Sequence, residues 1–309
     1  MQPKPPIDFE ERCRGAVLGL ALGDALGAPH EGGPIERLLW RWIGSTRDGR
    51  RRFTDDTQMA LDLADSLLRC GKVDQDDLAK TFAGSYRWSR GYGPAAARVL
   101  KRIRSGRDWR EANRSVHRTG SFGNGGAMRA PIVGVFFHAQ PENLVTAARQ
   151  TAEVTHAHPL AMDGAAMIAV ATSAALAGAD ARTLLDRARQ VATQPEYAER
   201  FAIAADWLTA NAPVSPRDVR ARLGMGITAL ASCVTALYLA GRFRDQPFEA
   251  MLAFTAAAGG DVDTVSAMAG ALWGAANGAA KLPAAAIARL EAAEQIDAVA
   301  RQLVAAARV

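Results

Sequence analysis

Aromatic residues make up only 6% of this 309-residue chain, and stretches in which Val, Ile, Thr and Tyr alternate with polar residues are scarce. Large sheets are built from such stretches, so their scarcity argues against a sheet and for a mostly helical chain. Cysteine is equally thin: Cys13, Cys70 and Cys233 lie far apart, are odd in number and include no CxxC pair. That disfavours a disulfide framework or a thiolate zinc centre and suits unpaired thiols in a reducing compartment. The opening "MQPKPPIDFEERCRGAVLGLALGDALGA" lacks the charged start, apolar run and cleavage pattern of a signal peptide, and its uncharged run ends at Asp24, too soon to span a bilayer. A cytoplasmic, monomeric protein with no membrane partner is expected. No linker or composition shift divides the chain, so residues 1–309 are read as one compact all-α domain, with residues 1–8 a flexible lead.

Charge of one sign is also lacking in any long run. The formal charge of +5 comes from Arg residues scattered over many segments. A dispersed excess reads as a solvated surface that helps steer a phosphate-bearing ligand, and gives little support to a nucleic-acid partner.

Glycine, by contrast, is placed with regularity. In the first helical segment Gly15, Gly19, Gly23 and Gly27 recur every four residues, and near the C-terminal end Gly270, Gly274 and Gly278 repeat the spacing. Each helical glycine costs roughly 1 kcal/mol relative to Ala, so four on one stripe need a reason. The spacing puts them on one face and lets another backbone approach closely. Both striped segments carry acids at one end: Asp24 late in the first, Asp261 and Asp263 just before the second.

Two helix starts match each other. "TDDT", residues 54 to 57, and "DVDT", residues 261 to 264, each place two carboxylates beside a hydroxyl. Capping alone accounts for such residues one helix at a time. If the two starts meet, four carboxylates repel one another, and cations remove that cost. With oxygen donors only, the hard ions Mg²⁺, Mn²⁺ or Ca²⁺ fit better than Zn²⁺, and two ions sharing the acids is the arrangement considered against separate caps.

Loops supply the remaining candidates. "GSFGNGGAMRAP", residues 120 to 131, exposes backbone N–H groups that suit a phosphate or a flat ligand, although it is no P-loop and a surface turn would look the same. "RGYGPA" at 90 to 95 offers Tyr92 between glycines for stacking or for a turn. His156 and His158 are poor ligands for a hard ion; substrate contact or capping is the better reading. The stretch from about 175 to 225 reads as scaffold helices, and the Ala-rich segment after Pro283 as a closing helix.

Taken together and in order, "GAVLGLALGDALGAPHEG", "FTDDTQMAL", "GYG", "GSFGNGGAMRAPIVG", "TH" at 155 and 156, and "GGDVDTVSAMAGALWGAANG" resemble the ADP-ribosylglycohydrolase family, from about residue 11 to 282. The resemblance implies an all-α orthogonal helical fold and two bound Mg²⁺ or Mn²⁺ ions. It implies metal ligation by Thr54, Asp55, Asp56, Asp261, Asp263 and Thr264, and catalytic or gating roles for Asp55, Asp56 and Glu31. It also implies that Ser121, Phe122, Gly123, Asn124, Gly125, Met128 and His156 embrace ADP-ribose, to which the loop reading adds Gly91 and Tyr92. The implied reaction removes ADP-ribose from a modified protein. Arginine-linked ADP-ribose is the first choice from the "GLALGDALGA" opening, whereas "RGYGPAAARVL" looks like the branch that acts on oxygen linkages, so serine-linked or polymeric ADP-ribose is the alternative. A non-catalytic binding or toxin-immunity role is less consistent with the retained acids, and a dinuclear phosphatase with the helical pattern.

Overall fold

The glycine stripes decide how the molecule is put together. The computed structural model describes residues 7–33, 40, 42–210 and 213–307, so most of the expected flexible lead, residues 1–6, lies outside the described residues. Among the described residues there is no strand, only isolated bridges such as Gly123 with Thr228, and the all-α expectation holds. In chain order the helices used below are α1 (Phe9–Gly27), α2 (Asp55–Cys70), α3 (Gly125–Met128), α4 (Ala130–Phe136), α5 (Pro141–Glu153), α6 (Pro159–Leu176), α7 (Ala181–Val191), α8 (Phe248–Ala258), α9 (Val262–Asn277) and α10 (Ala293–Ala307).

Helices α1 and α9 lie antiparallel with their glycines interlocked. A Cβ on Gly15 would come 2.2 Å from the Gly274 carbonyl oxygen, one on Gly19 2.3 Å from that of Gly270, and one on Gly23 2.1 Å from that of Ser266. No side chain fits at such distances, so the stripe is a requirement of backbone contact. The last glycine of the stripe, Gly27, faces the backbone of Val262 and Asp263. The C-terminal end of α1 is thereby delivered to the N-terminus of α9.

Around this pair the other helices complete the core. Helix α6 is apolar on nearly all sides and long enough to cross a membrane by composition, yet two-thirds of it is buried, against α3, α4, α5, α7 and α9 among others. An all-round apolar helix in this setting is a core helix. Arg12 fastens the far end of the assembly: its guanidinium donates to the carbonyls of Ala175, Ala275 and Ala276, at the closing turns of α6 and α9. The last carbonyls of a helix lack the i+4 N–H partners of its interior, and a cation is favourable beside them. Cys13 and Cys233 are buried and Cys70 is partly exposed.

Candidate functional site

The N-terminus of α2 is built from both local and distant residues. Thr54 takes the N-cap position, and its hydroxyl accepts from the Asp56 N–H at 3.2 Å. Beneath it lies Asp24, fully buried at the end of α1, which accepts from the Thr54 N–H at 3.0 Å, from the Thr57 N–H at 3.0 Å and from the Thr57 hydroxyl at 2.5 Å. The capping explanation of "TDDT" therefore applies to Thr54 and Asp24. It leaves Asp55 and Asp56 with no capping duty, and both line a pocket.

The N-terminus of α9 follows a sharper turn. Gly259 and Gly260 both have positive φ, +67° and +89°, and a Cβ on Gly260 would lie 1.9 Å from the Met225 carbonyl. Only glycine suits that pair of conformations in so little space. The turn sets Asp261 at the N-cap, but its carboxylate does not cap; it accepts from the Asn124 amide at 2.6 Å. Asp263 accepts from the N–H of Thr264 at 2.9 Å, and the Thr264 hydroxyl donates to Asp56 Oδ1 at 3.3 Å, joining the two helix starts directly.

Two triads of carboxylates result. Oxygens of Asp24, Asp56 and Asp263 lie within 4.8 Å of one another, as do those of Glu31, Asp261 and Asp263. Asp56 Oδ2 is buried without a hydrogen-bond partner among the described residues. Burial, and then the neighbouring charges of Asp24 and the other acids, lifts Asp55 and Asp56 well above the usual carboxylate range; burial and the charge of Asp56 do the same to Asp263. A buried set of mutually repelling, under-satisfied oxygens fits one or more hard divalent cations. Asp24, already holding several donors, serves better as the negative base of the site than as a ligand.

The pocket beside these acids encloses about 370 Å³. Of the residues expected from the sequence, Glu31, Asp55, Asp56, Gly91, Tyr92, Ser121, Gly123, Asn124, Gly125, Met128, His156, Asp261, Asp263 and Thr264 line it. Thr54 does not, being the buried cap behind the acids, and Phe122 does not; its ring is 49% exposed and stands edge-on to His158. His158 caps α6 by accepting the Leu160 N–H, so the two histidines divide the roles considered for them. The glycine-rich loop is pinned by its backbone: Asn124 N–H donates to the Ile227 carbonyl, and Ala229 N–H to the Phe122 carbonyl, each at 3.0 Å.

Some wall residues carry no signal in the sequence. Ile227, 70% exposed, lines the pocket from a segment with no motif of its own, and Met59 lines it from within "FTDDTQMAL", where nothing singles it out. Asp24 was visible only as an acid within a glycine stripe; its work as an acceptor for α2 depends on a contact 30 residues away.

The chain is similar to known proteins along nearly its whole length. The family model described as ADP-ribosylglycohydrolase matches residues 5–309. The chain is 33% identical to "ADP-ribosylhydrolase ARH3" of Danio rerio, covering 96% of this chain and 91% of that protein, and 31% identical to "ADP-ribosylhydrolase ARH3" of Homo sapiens, covering 94% and 92%. A solved structure, "ADP-ribosylglycohydrolase-related protein complex", superposes with a TM-score of 0.72 at 28% identity, covering 97% of this chain and 99% of that one.

Proposed function

This chain belongs to the ADP-ribosylglycohydrolase family, and from that premise we propose that it is a divalent-cation-dependent hydrolase that removes ADP-ribose from modified proteins. The observation that carries the reading is the meeting of two helix N-termini that surround one pocket with Glu31, Asp55, Asp56, Asp261 and Asp263, facing a glycine-rich loop. Glu31, Asp56, Asp261 and Asp263, with Asp55 and the Thr264 hydroxyl beside them, would hold Mg²⁺ or Mn²⁺, which when bound supplies charge neutralisation and polarises ligand oxygens.

The chain's own groups account for the rest. The bond broken is that between the anomeric carbon of the distal ribose and the acceptor atom of the modified protein; the bond formed joins that carbon to a water oxygen. One proton of the water ends on the leaving atom, and Asp55, Asp56 and Glu31 are the carboxyl groups beside the pocket that can exchange it. Positive charge develops at the anomeric carbon during cleavage, and ionised carboxylates close to it are stabilising. The backbone N–H groups of the 120–126 loop other than those of Gly120, Gly123 and Asn124, which are already bonded, suit the diphosphate.

Of the two cues to linkage, one bears on the pocket. Gly91, Tyr92 and Gly93 from the segment that resembles the oxygen-linkage branch line it, whereas the glycines of the "GLALGDALGA" opening are spent on helix contact. That favours an oxygen acceptor such as serine over arginine. Release of free ADP-ribose from matched serine- and arginine-linked peptides, each with Mg²⁺, Mn²⁺ or a chelator, tests both points. Cation-dependent release, faster from the serine peptide, is expected. No release from either by a protein that binds ADP-ribose would overturn hydrolysis in favour of a binding role.

A further inference from the structure

Behind the pocket wall lies a cation that no acid accompanies at ion-pair distance among the described residues. Arg129, fully buried between α3 and α4, spends its guanidinium on the Gly125 carbonyl at 2.6 Å, the Thr151 carbonyl at 2.8 Å and the Thr155 hydroxyl at 2.9 Å, while its Nε has no partner among the described residues. Its face covers the Phe82 ring at 4.7 Å. Burying a guanidinium without a contacting carboxylate is costly, and an apolar side chain of similar volume would fill the space at less expense. Burial pulls Arg129 down to about 9, which leaves it cationic at neutral pH, helped by the field of Asp55.

The third contact continues toward the pocket. Besides Arg129, Thr155 Oγ1 has one hydrogen-bond partner among the described residues, His156 Nδ1 at 2.8 Å. A guanidinium only donates, so the Thr155 oxygen must accept from Arg129, and its single proton is free for one acceptor. If Nδ1 carried a proton as well, the threonine proton would be buried without a partner, a loss of about 1–3 kcal/mol. The arrangement without that loss has Thr155 donating to a bare Nδ1. The imidazole proton then sits on Nε2. That edge of the ring lies against the loop: a Cβ on Gly125 would come 2.8 Å from Nε2, and one on Gly123 3.1 Å.

We propose that Arg129 and Thr155 are positioning residues that fix His156 as the Nε2–H tautomer, so that it presents a directed hydrogen-bond donor to a ligand oxygen in the pocket. The relay deepens the reading of the pocket as an ADP-ribose site and rests on it for the identity of the ligand. Desolvation, and then the charge of Arg129, push His156 down to about 3, so it meets an anionic ligand as a neutral donor across the physiological range. The same guanidinium holds the Gly125 carbonyl, which keeps the loop and the ring in one register.

The test uses the whole chain labelled with ¹⁵N-histidine, with two-bond ¹H–¹⁵N correlation to read the tautomer and calorimetry to read ADP-ribose affinity. The His156 signals are those that vanish in His156→Gln. Wild-type protein is expected to show a bare Nδ1 and a protonated Nε2. Thr155→Val should lose that single tautomer and bind ADP-ribose about tenfold more weakly, the worth of one hydrogen bond, and Thr155→Ser should restore both. Arg129→Met, folded by its melting curve, should behave as Thr155→Val does. A protonated Nδ1 in the wild type, or a Thr155→Val protein with an unchanged spectrum or unchanged affinity, overturns the proposal. Failure of the wild type to bind ADP-ribose would instead sink the ligand assignment and with it the donor role, while the spectrum still decides whether the relay sets the tautomer.

Discussion

Two buried aspartates show how alike carboxylates come to different uses. Asp163, in α6, accepts from the Arg149 guanidinium at 2.9 Å, the Thr193 N–H at 2.6 Å, the Thr193 hydroxyl at 3.0 Å and the Gln194 N–H at 2.8 Å. Those contacts tie α5, α6 and the segment after α7 together, and the charge is answered by protein alone. Asp56 is equally buried but, among the described residues, receives one long hydroxyl contact on Oδ1 and none on Oδ2, with further acids as its neighbours. Asp163 is therefore complete in the folded chain. Asp56 is left incomplete by the described residues, as the proposed cation site requires.

The comparison yields effects of opposite sign. The largest is expected at Asp56→Asn: release of ADP-ribose should fall by at least about 10³-fold, a barrier increase of about 4 kcal/mol. Its melting temperature in chelator should match or exceed the wild type, because one repelling charge is gone. Full activity, or a large fall in stability, would erase the distinction between the two aspartates.

Next in size is Asp163→Ala. Leaving Arg149 and two backbone N–H groups without their acceptor should cost about 3 kcal/mol, or roughly 5 °C in melting temperature for a chain of this length. Activity per folded molecule should stay within about twofold of the wild type at a temperature where both are folded. Steady-state assays beside a melting curve check both halves; lost activity in the folded variant would break the contrast.

The smallest effect sharpens it. Adding Mg²⁺ or Mn²⁺ to chelator-stripped wild type, at about 100 times its dissociation constant, should stabilise the fold by about 2.7 kcal/mol. The Asp163→Ala protein should keep that shift and the Asp56→Asn protein should lose most of it. Equal shifts in all three proteins would mean that cations act elsewhere.

How much of this could be seen in the sequence follows from the range of each interaction. Helical spacing, glycine stripes and the pair "TDDT" and "DVDT" are local patterns, so the all-α fold and the candidate acids are legible within a few turns of chain. The uses of Asp24 and Arg129 are not local. Asp24 acquires its function from Thr54 and Thr57, and Arg129 looks like any of the scattered arginines until burial and its three acceptors single it out. Thr54 and Phe122 show the reverse: both belong to motifs that reach the pocket, yet one faces inward as a cap and the other outward to solvent. A motif marks a neighbourhood, and side-chain direction is settled by packing.

The interlocked glycines of α1 and α9 also set an order of events during synthesis. A ribosome makes α1 well before α9; Asp56 and the Thr264 hydroxyl that meets it are 208 positions apart. Until α9 is made the striped face of α1 has no backbone to receive it, and a chain stopped short of Asp261 holds Glu31, Asp55 and Asp56 without Asp261, Asp263 or the second wall. The site is thus one of the last things the nascent chain acquires. Products truncated before α9, however helical, lack the Asp261 and Asp263 side of the pocket.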